Sequence, residues 1–175
     1  NNFSGTAIRE GNGISIANFD FCEFYYLGIA IDLSATLGVN VSNCIFRNCG
    51  YGIKGKPTVN NSIFDQCDWG IRAEYYVYVD NSIITNWRNG IYAYPSGIVC
   101  NNSIISYNTQ RGLWQHSSGS GSTANYNIFW QNGENAYRVS AANSIIQDPL
   151  FCNQANTSFD VRTGSPAIGA GQDSS

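Results

Sequence analysis

The sequence predicts an all-β protein in which a chain of 175 residues winds into a single parallel β-solenoid of about seven coils. Three observations support this fold: an internal repeat of about 20 residues, apolar positions with a period of two, and chemically uniform columns when the repeats are aligned. The clearest copy is NSIFDQCDWGI from Asn61. It recurs as NCIFRNCGYGI from Asn43, NSIITNWRNGI from Asn81 and NSIISYNTQRGL from Asn102, at spacings of 18, 20 and 21 residues. A unit of this length cannot bury a core alone, so successive units must stack.

Within each unit the apolar residues alternate along short segments, as in Val39 and Val41 or Val77 and Val79. Asn, Ser and Gly interrupt these segments, and no stretch keeps the 3.6-residue period of an amphipathic helix. Each unit is therefore predicted to form short strands that lie about 4.8 Å above those of the previous coil.

Stacking places like residues over like residues, and two apolar columns are predicted to fill the interior. The first column consists of Ile45, Ile63, Ile83, Ile104, Ile128 and Ile145. The second consists of Ile29, Ile53, Ile71, Ile91 and Leu113.

Two further columns predict the corners of the coil. Asparagine tolerates a left-handed backbone turn, so its column is predicted to form a corner ladder, although amide ligands for a polar molecule are the alternative. The asparagine column consists of Asn18, Asn43, Asn61, Asn81, Asn102 and Asn143. Glycines that recur in register predict a second corner with positive φ. They are Gly28, Gly52, Gly70, Gly90 and Gly112.

The N-S/N-x-I-x-x-N-x-x-G-I pattern resembles the right-handed parallel β-helix repeats of the pectate-lyase-like superfamily. Near the C-terminus, DPLF (Asp148–Phe151) and FDVRTGSPAIGAG (Phe159–Gly171) resemble a closing motif of bacterial secreted and surface β-helix proteins, with Gly169 in place of the usual acidic residue. The resemblance spans nearly the whole chain and implies a right-handed β-helix. It implies no single function, because this superfamily holds lyases, hydrolases, adhesins and non-catalytic modules.

The composition indicates a β-rich extracellular or cell-surface protein. Charged residues make up only 12% of the chain and aromatic residues 14%, which is typical of neither a disordered nor a membrane protein. The net charge of −3 argues against a nucleic-acid partner. No apolar segment is long enough to span a bilayer. The chain opens with NNFSG and carries no signal peptide, as a processed product or an excised fragment would.

The six cysteines show no zinc-ligand spacing. Cys49 and Cys67 fall in one column, so their Cα atoms are expected about 5 Å apart, within the range of a disulfide. A buried ladder of free thiols is the alternative, because free Cys packs as a small apolar residue. Possible N-glycosylation sequons begin at Asn2, Asn40, Asn60, Asn101 and Asn156.

Residues 1–151 are predicted to form the coils, with residues 1–13 as a partial first coil and residues 115–125 as a Ser/Gly loop. Residues 152–175 are predicted to fold over the last coil as a C-terminal capping segment and tail. No cap is evident ahead of the first coil, and an open coil exposes unpaired backbone groups. We therefore expect the N-terminal coil to contact either a second copy, giving a homo-oligomer, or an upstream part of a longer chain.

The outward side of the Gly-Ile segments is the best candidate surface for binding a ligand. Alternation places two columns there. One consists of Lys54, Arg72, Tyr92, Trp114 and Tyr137, and the other of Lys56, Glu74, Tyr94 and His116. The predicted glycan-binding face consists of Lys54, Lys56, Arg72, Tyr92, Tyr94 and Trp114. Aromatic rings stack on sugar rings and cations pair with carboxylates or sulfates, so an acidic polysaccharide fits, while cross-coil stabilisation is the alternative role.

Catalysis is not expected. A polysaccharide lyase needs a base and a cation, for which Lys56, Arg72 and His116 are nominal candidates. Calcium needs several converging oxygen ligands, and this face offers only Glu74. We therefore expect no catalytic residues, no metal and no cofactor. The favoured function is an extracellular, non-catalytic structural β-helix, either a fibre subunit that associates end to end or the terminal part of a surface protein. A carbohydrate-binding or lyase-like module for acidic glycans is the alternative.

Overall fold

The structure, a computed structural model, describes residues 5–9, 16–34, 38–116, 121–153 and 158–171. Three parallel sheets of seven strands each run along its length, which confirms the predicted all-β parallel solenoid. Each coil passes through sheet A, sheet B and sheet C in turn. The coils are numbered along the chain, so coil 1 contains the first strand of each sheet and coil 7 the last. Within the described ranges, no helix is long and apolar enough to cross a membrane.

The strands are short, because each coil turns a corner after every few residues. Sheet A consists of β1 (Thr6–Arg9), β4 (Ile29–Asp32), β7 (Tyr51–Gly55), β10 (Trp69–Ala73), β13 (Asn89–Ala93), β16 (Arg111–Gln115) and β19 (Glu134–Tyr137). Sheet B consists of β2 (Ala17–Asp20), β5 (Val39–Ser42), β8 (Pro57–Asn60), β11 (Val77–Asp80), β14 (Ile98–Asn101), β17 (Thr123–Asn125) and β20 (Ser140–Ala142). Sheet C consists of β3 (Glu23–Tyr25), β6 (Ile45–Arg47), β9 (Ile63–Asp65), β12 (Ile83–Thr85), β15 (Ile104–Ser106), β18 (Ile128–Trp130) and β21 (Ile145–Ile146). An antiparallel hairpin of β22 (Phe151–Asn153) and β23 (Ser158–Val161) follows.

The interior is filled by inward side chains from all three sheets. In sheet C the inward column consists of Phe24, Phe46, Phe64, Ile84, Ile105 and Phe129. The rings of Phe24, Phe46 and Phe64 stack at centroid distances of 4.8 and 4.5 Å. In sheet A, Ile31, Ile53 and Ile71 lie over one another, whereas Ile29 pairs with Tyr51 and lies outside the predicted column.

The prediction that the column from Ile45 to Ile145 fills the interior is wrong. These residues alternate with the buried Phe and Ile side chains of sheet C, so they point away from the core. The described parts of the C-terminal segment, residues 148–153 and 158–171, run beside this outward column. Phe159 and Val161 line a cavity of about 400 Å³ together with Ile83, Ile104 and Ile128.

Strands β22 and β23 form the predicted short cap as a small antiparallel sheet, and the C-terminal segment runs along the side of the coils. Phe159 packs edge to face on Phe151 at 5.2 Å and lies 6.0 Å from the guanidinium of Arg47 in coil 2. Gly171 lies beside Asn102 of coil 5. The tail from residue 172 onwards lies outside the described residues.

The asparagine corner between sheets B and C is confirmed. Asn43, Asn61, Asn81 and Asn102 have φ values of 54°, 47°, 47° and 50°, in the left-handed region that Asn tolerates. Phe21 holds this position in coil 1, with φ of 51°, whereas Asn18 lies within β2. The next residue in each coil forms a second ladder. For example, the backbone N–H groups of Cys44, Ser62 and Ser82 each donate to a serine hydroxyl one coil further on, at 3.1 Å.

The recurring glycines do not form a positive-φ corner, because Gly52, Gly70, Gly90 and Gly112 lie inside the strands of sheet A with ordinary φ. A Cβ atom on Gly52, Gly70 or Gly90 would lie only 2.5–2.6 Å from the carbonyl oxygen of the same column one coil further on. Close backbone approach, and not turn geometry, requires glycine in this column.

Candidate functional site

Sheet A presents the predicted column of cations and aromatic rings. Strands β10 and β13 share an x-Gly-Ile-x-Ala pattern, and β7 has Gly in place of the Ala. In each strand the Ile side chain enters the core and the fourth residue points outward. Strand register places Lys54, Arg72, Tyr92, Trp114 and Tyr137 directly over one another. The predicted column therefore exists, while its role in binding a glycan stays a prediction.

The structure adds a parallel outward column that the sequence reasoning missed. It consists of Tyr51, Trp69, Arg111 and Glu134, with the buried Asn89 between them, each at the first position of its strand. Strict alternation places the first and fourth residues of a strand on opposite faces, so it does not predict this column. The alternation is broken at the glycine, because the glycine and the residue after it are both buried. The Trp69 ring lies 6.2 Å from Tyr51, 6.0 Å from Trp114 and 5.5 Å from Tyr92.

These two columns, with Tyr94 and His116 beside them, form one surface that we call the aromatic face. Tyr92 and Trp114 meet edge to face at 4.8 Å, and His116 packs edge to face on Tyr94 at 5.1 Å. The rings are held by one another across coils, so their orientation is set before any ligand binds.

Cations border the aromatic face at both ends. Lys54 Nζ lies 4.4 Å from the ring centroid of Tyr51. The Arg111 guanidinium lies 4.5 Å from Trp114 and 4.4 Å from Tyr137. Arg111 Nε also donates to Glu134 Oε2 at 2.9 Å, so this arginine is partly neutralised, whereas Lys54 and Arg72 form no ion pair among the described residues. Cationic character is therefore strongest in coils 3 and 4.

A pocket of about 380 Å³ opens where the aromatic face meets the turn towards sheet B. Its lining residues include Arg72, Glu74, Tyr75, Tyr92 and Tyr94. Partial burial raises the pKa of Tyr92, so its hydroxyl is a neutral donor at physiological pH. The pocket thus combines a guanidinium, a carboxylate and three phenols, which can together bind a carboxylate and hydroxyl groups of a sugar.

The nominal lyase residues are not brought together. Arg72 lines the pocket, but Lys56 and His116 lie three coils apart, which corresponds to about 14 Å. Within the part of the chain that the structure describes, no group of three or more His, Cys, Asp or Glu side chains could hold a metal ion.

One buried carboxylate lies on another face of the coil. Asp65 in β9 is fully buried, accepts a hydrogen bond from Asn86 Nδ2 at 2.8 Å, and lies 3.5 Å from Arg47 Nε. Burial raises the pKa of Asp65, although the Asn86 hydrogen bond and the Arg47 charge oppose this effect. Asp65 therefore belongs to the packing of sheet C and is remote from the aromatic face.

The other predicted sites lie on separate surfaces. Cys49 and Cys67 occupy one column on adjacent coils, and both thiols are free in this structure. Asn40, Asn60 and Asn101 are on the outward side of sheet B. Asn2 and Asn156 lie outside the described residues. The disulfide and the glycosylation sites stay predictions.

Comparison with known proteins agrees with the observed architecture. The sequence matches the family described as right handed beta helix region over residues 1–151, which include all seven coils. No curated protein and no solved structure matches the chain. Since the family match covers most of the sequence and three parallel sheets wind around one core, this chain belongs to the right-handed β-helix family.

Proposed function

We propose that this protein is an extracellular or cell-surface β-helix that binds an acidic polysaccharide along the aromatic face without cleaving it. The observation that carries the proposal is the pair of adjacent outward columns in which cations of coils 3 and 4 continue into stacked rings of coils 4 to 6. The β-helix fold is consistent with a structural or surface role. The composition, poor in charge and rich in Asn, Ser and Gly, supports the extracellular location.

The periodicity of the face suits a polymer. Outward side chains repeat once per coil at about 4.8 Å, so a ligand aligned with the solenoid axis meets equivalent groups at regular intervals. Rings such as Trp69 and Trp114 offer apolar faces to the C–H side of a pyranose, and Arg72 offers a bidentate partner for a carboxylate. An acidic glycan uses both kinds of contact, whereas a neutral one uses only the rings.

The test is retention of the purified protein on immobilised polygalacturonate and heparin, measured as an apparent Kd. Trp114→Ala is expected to weaken binding about fivefold, since one aromatic contact contributes on the order of 1 kcal/mol. Arg72→Ala is expected to weaken binding similarly and to reduce its dependence on salt. Tyr78→Ala is the matched control, because Tyr78 is an exposed aromatic residue on sheet B.

Two results would contradict the proposal. The first is no retention of the parent protein on either acidic polysaccharide. The second is an equal loss for Tyr78→Ala and Trp114→Ala. Formation of an unsaturated product that absorbs in the ultraviolet would instead show a polysaccharide lyase and would overturn the non-catalytic part of the proposal.

End-to-end association is a second candidate function, supported by the sheet edges. Among the described residues, β1, β2 and β3 form one edge of sheets A, B and C, and β19, β20 and β21 form the other. Exposed strand edges carry unpaired N–H and C=O groups that can pair with another chain. Joining coil 7 of one copy to coil 1 of the next would continue the columns of sheet A and place Arg9 beside Tyr137.

A single substitution tests this second candidate. The Ser140 N–H donates to the Ser122 carbonyl oxygen of the preceding coil at 3.2 Å. Successive N–H groups of a strand point to opposite sides, so the Ala141 N–H points towards the open edge. Ala141→Pro removes this donor and is expected to abolish filaments or oligomers seen by negative-stain microscopy and sedimentation velocity. Ala141→Ser is the control that keeps the N–H group. Monodisperse monomers of the parent protein at every concentration would eliminate end-to-end association.

A further inference from the structure

Four of the six cysteines lie in two stacked pairs at the corners that flank sheet C. Cys22 of coil 1 lies under Cys44 of coil 2, and Cys49 of coil 2 lies under Cys67 of coil 3. Cys100 has no such partner, because its strand neighbours are Val79 and Ala124. The sequence alignment missed the first pair, since coil 1 departs from the repeat at this corner.

The first pair belongs to the corner that carries the serine ladder. The Cys22 N–H donates to Cys44 Sγ at 3.4 Å, and the Cys44 thiol donates to the Ser42 carbonyl at 3.1 Å. In the following coils serine hydroxyl groups take the place of the thiols. The Ser62 N–H donates to the Ser82 hydroxyl, and the hydroxyl groups of Ser62 and Ser82 donate to the carbonyl oxygens two residues before them. Sulfur atoms thus replace oxygen atoms at two successive steps of a repeating corner, where the Cys22 N–H contacts the Cys44 sulfur.

The second pair is at the opposite corner of coils 2 and 3. The Cys49 N–H donates to Cys67 Sγ, and the Cys67 thiol donates to the Asp65 carbonyl oxygen at 3.4 Å. The neighbouring Cys67 side chain is the main cause that lowers the pKa of Cys49, while burial raises the pKa of Cys67. Both residues line a polar cavity of about 400 Å³ with Asn48, Gln66 and Asp68, and Cys67 is the partly exposed member of the pair.

We propose that the pairs Cys22–Cys44 and Cys49–Cys67 are sites of inter-coil disulfide formation with a small-molecule disulfide as the oxidant, and that together they link coils 1, 2 and 3. Neighbouring strands lie about 4.8 Å apart, which falls within the Cα separation that a disulfide requires. The bonds would span 22 and 18 residues of the chain.

The chemistry is thiol–disulfide exchange. One thiolate of the pair Cys49 and Cys67 attacks one sulfur of a disulfide RS–SR, giving a mixed disulfide and one RS⁻. The other thiol then loses its proton, and its sulfur attacks the first cysteine's sulfur and displaces the second RS⁻. Two protein thiols are oxidised to one disulfide, and RS–SR is reduced to two RSH once the protons are taken up. Exchange at Cys22–Cys44 has the same stoichiometry, and we expect it after exchange at Cys49–Cys67, because the latter pair lines a cavity that admits the reagent.

The experiment incubates the full chain in buffers of increasing oxidised-to-reduced glutathione ratio, traps free thiols with N-ethylmaleimide, and maps peptides by mass spectrometry. We expect the Cys49–Cys67 link first and the Cys22–Cys44 link second, with Cys100 still alkylated. Hydrogen exchange of amides in β3, β6 and β9 should slow at least tenfold in the oxidised protein, because both links remove openings of these coils.

Single substitutions separate the two sites. Cys44→Ser is expected to keep the corner intact, since serine already fills this position at Ser62, and to remove only the first link. Cys67→Ser is expected to remove only the second link. The proposal is overturned if N-ethylmaleimide still alkylates all six thiols after the protein has been incubated with oxidised glutathione alone. It is also overturned if the links found join Cys44 to Cys49 or join two chains through Cys152.

Discussion

Replacing Gly90 with alanine is expected to destabilise the coil stack by about 3 kcal/mol or more, the upper end of the cost of overpacking a core. The added Cβ would lie 2.5 Å from the Gly112 carbonyl oxygen and 3.2 Å from Ile84 Cγ2. The Gly112 carbonyl oxygen belongs to the backbone of the adjacent strand, so it can move away only if the spacing between the two coils increases. Because Gly90 is in a central coil, that increase must disturb neighbouring coils as well.

Thermal unfolding followed by circular dichroism measures this effect, and a fall in Tm of about 10 °C corresponds to the expected loss for a chain of this size. Gly38→Ala is the matched control, because the only atom near its added Cβ is the Lys56 carbonyl oxygen, at 3.8 Å. We expect this control to shift Tm little. An equal fall for both variants would show that coil spacing is not what requires glycine at position 90.

Phe64→Ala is expected to cost about 3–5 kcal/mol, the usual range for removing a buried aromatic side chain. Phe64 is fully buried, and its ring is 4.5 Å from that of Phe46 with the planes 5° apart. The substitution therefore removes both the burial and the stacking that link coils 2 and 3. Urea unfolding should show a lower midpoint, and limited proteolysis should cut first within these coils.

The chain itself supplies a matched control for this prediction. Ile84 and Ile105 hold the same inward position in coils 4 and 5, so Phe64→Ile keeps an apolar side chain that this column already accommodates. Its cost is expected to be less than half that of Phe64→Ala. If both substitutions lowered the free energy of unfolding by the same small amount, the stacked rings would contribute little to stability.

The solenoid could be predicted from the sequence because the repeat length and the recurring Asn and Ile positions all indicate stacking. Which side chains enter the core was harder. The strands of sheet C contain two or three residues, and both Ile63 and Phe64 are apolar. Period two cannot decide between adjacent apolar positions, and Phe159 and Val161 of the C-terminal segment lie beside part of the outward column.

The glycine column shows a similar limit. Its recurrence in register was evident, but a residue without a side chain fits both a left-handed turn and a close backbone approach. Only the strand register, which brings Gly70 under the Gly90 carbonyl, distinguishes these causes. The pair Cys22 and Cys44 was missed for a related reason, since Phe21 occupies the asparagine corner in coil 1 and obscures the alignment.

For the candidate site, the outward column of Lys54, Arg72 and Trp114 follows from alternation alone. The companion column that contains Trp69 and Arg111 departs from this alternation, because the glycine and the residue after it are both buried, so a period of two places these side chains on the inner face. The contacts between columns depend on side-chain directions and could not be derived from sequence spacing. The pocket between Arg72 and Tyr94 likewise depends on where the turn after each strand of sheet A places Tyr75.

The serine corner gives the molecule an approximate translational symmetry, because Ser62, Ser82 and Ser103 each repeat one set of bonds a single step along the axis. Duplicating or deleting one repeat between two such serines would therefore preserve the type of contact between neighbouring coils. Growth by such duplication lengthens the protein in increments of one strand spacing and extends the aromatic face by the same increment. If the aromatic face binds a polysaccharide as proposed, the number of repeats sets the length of polymer that it contacts.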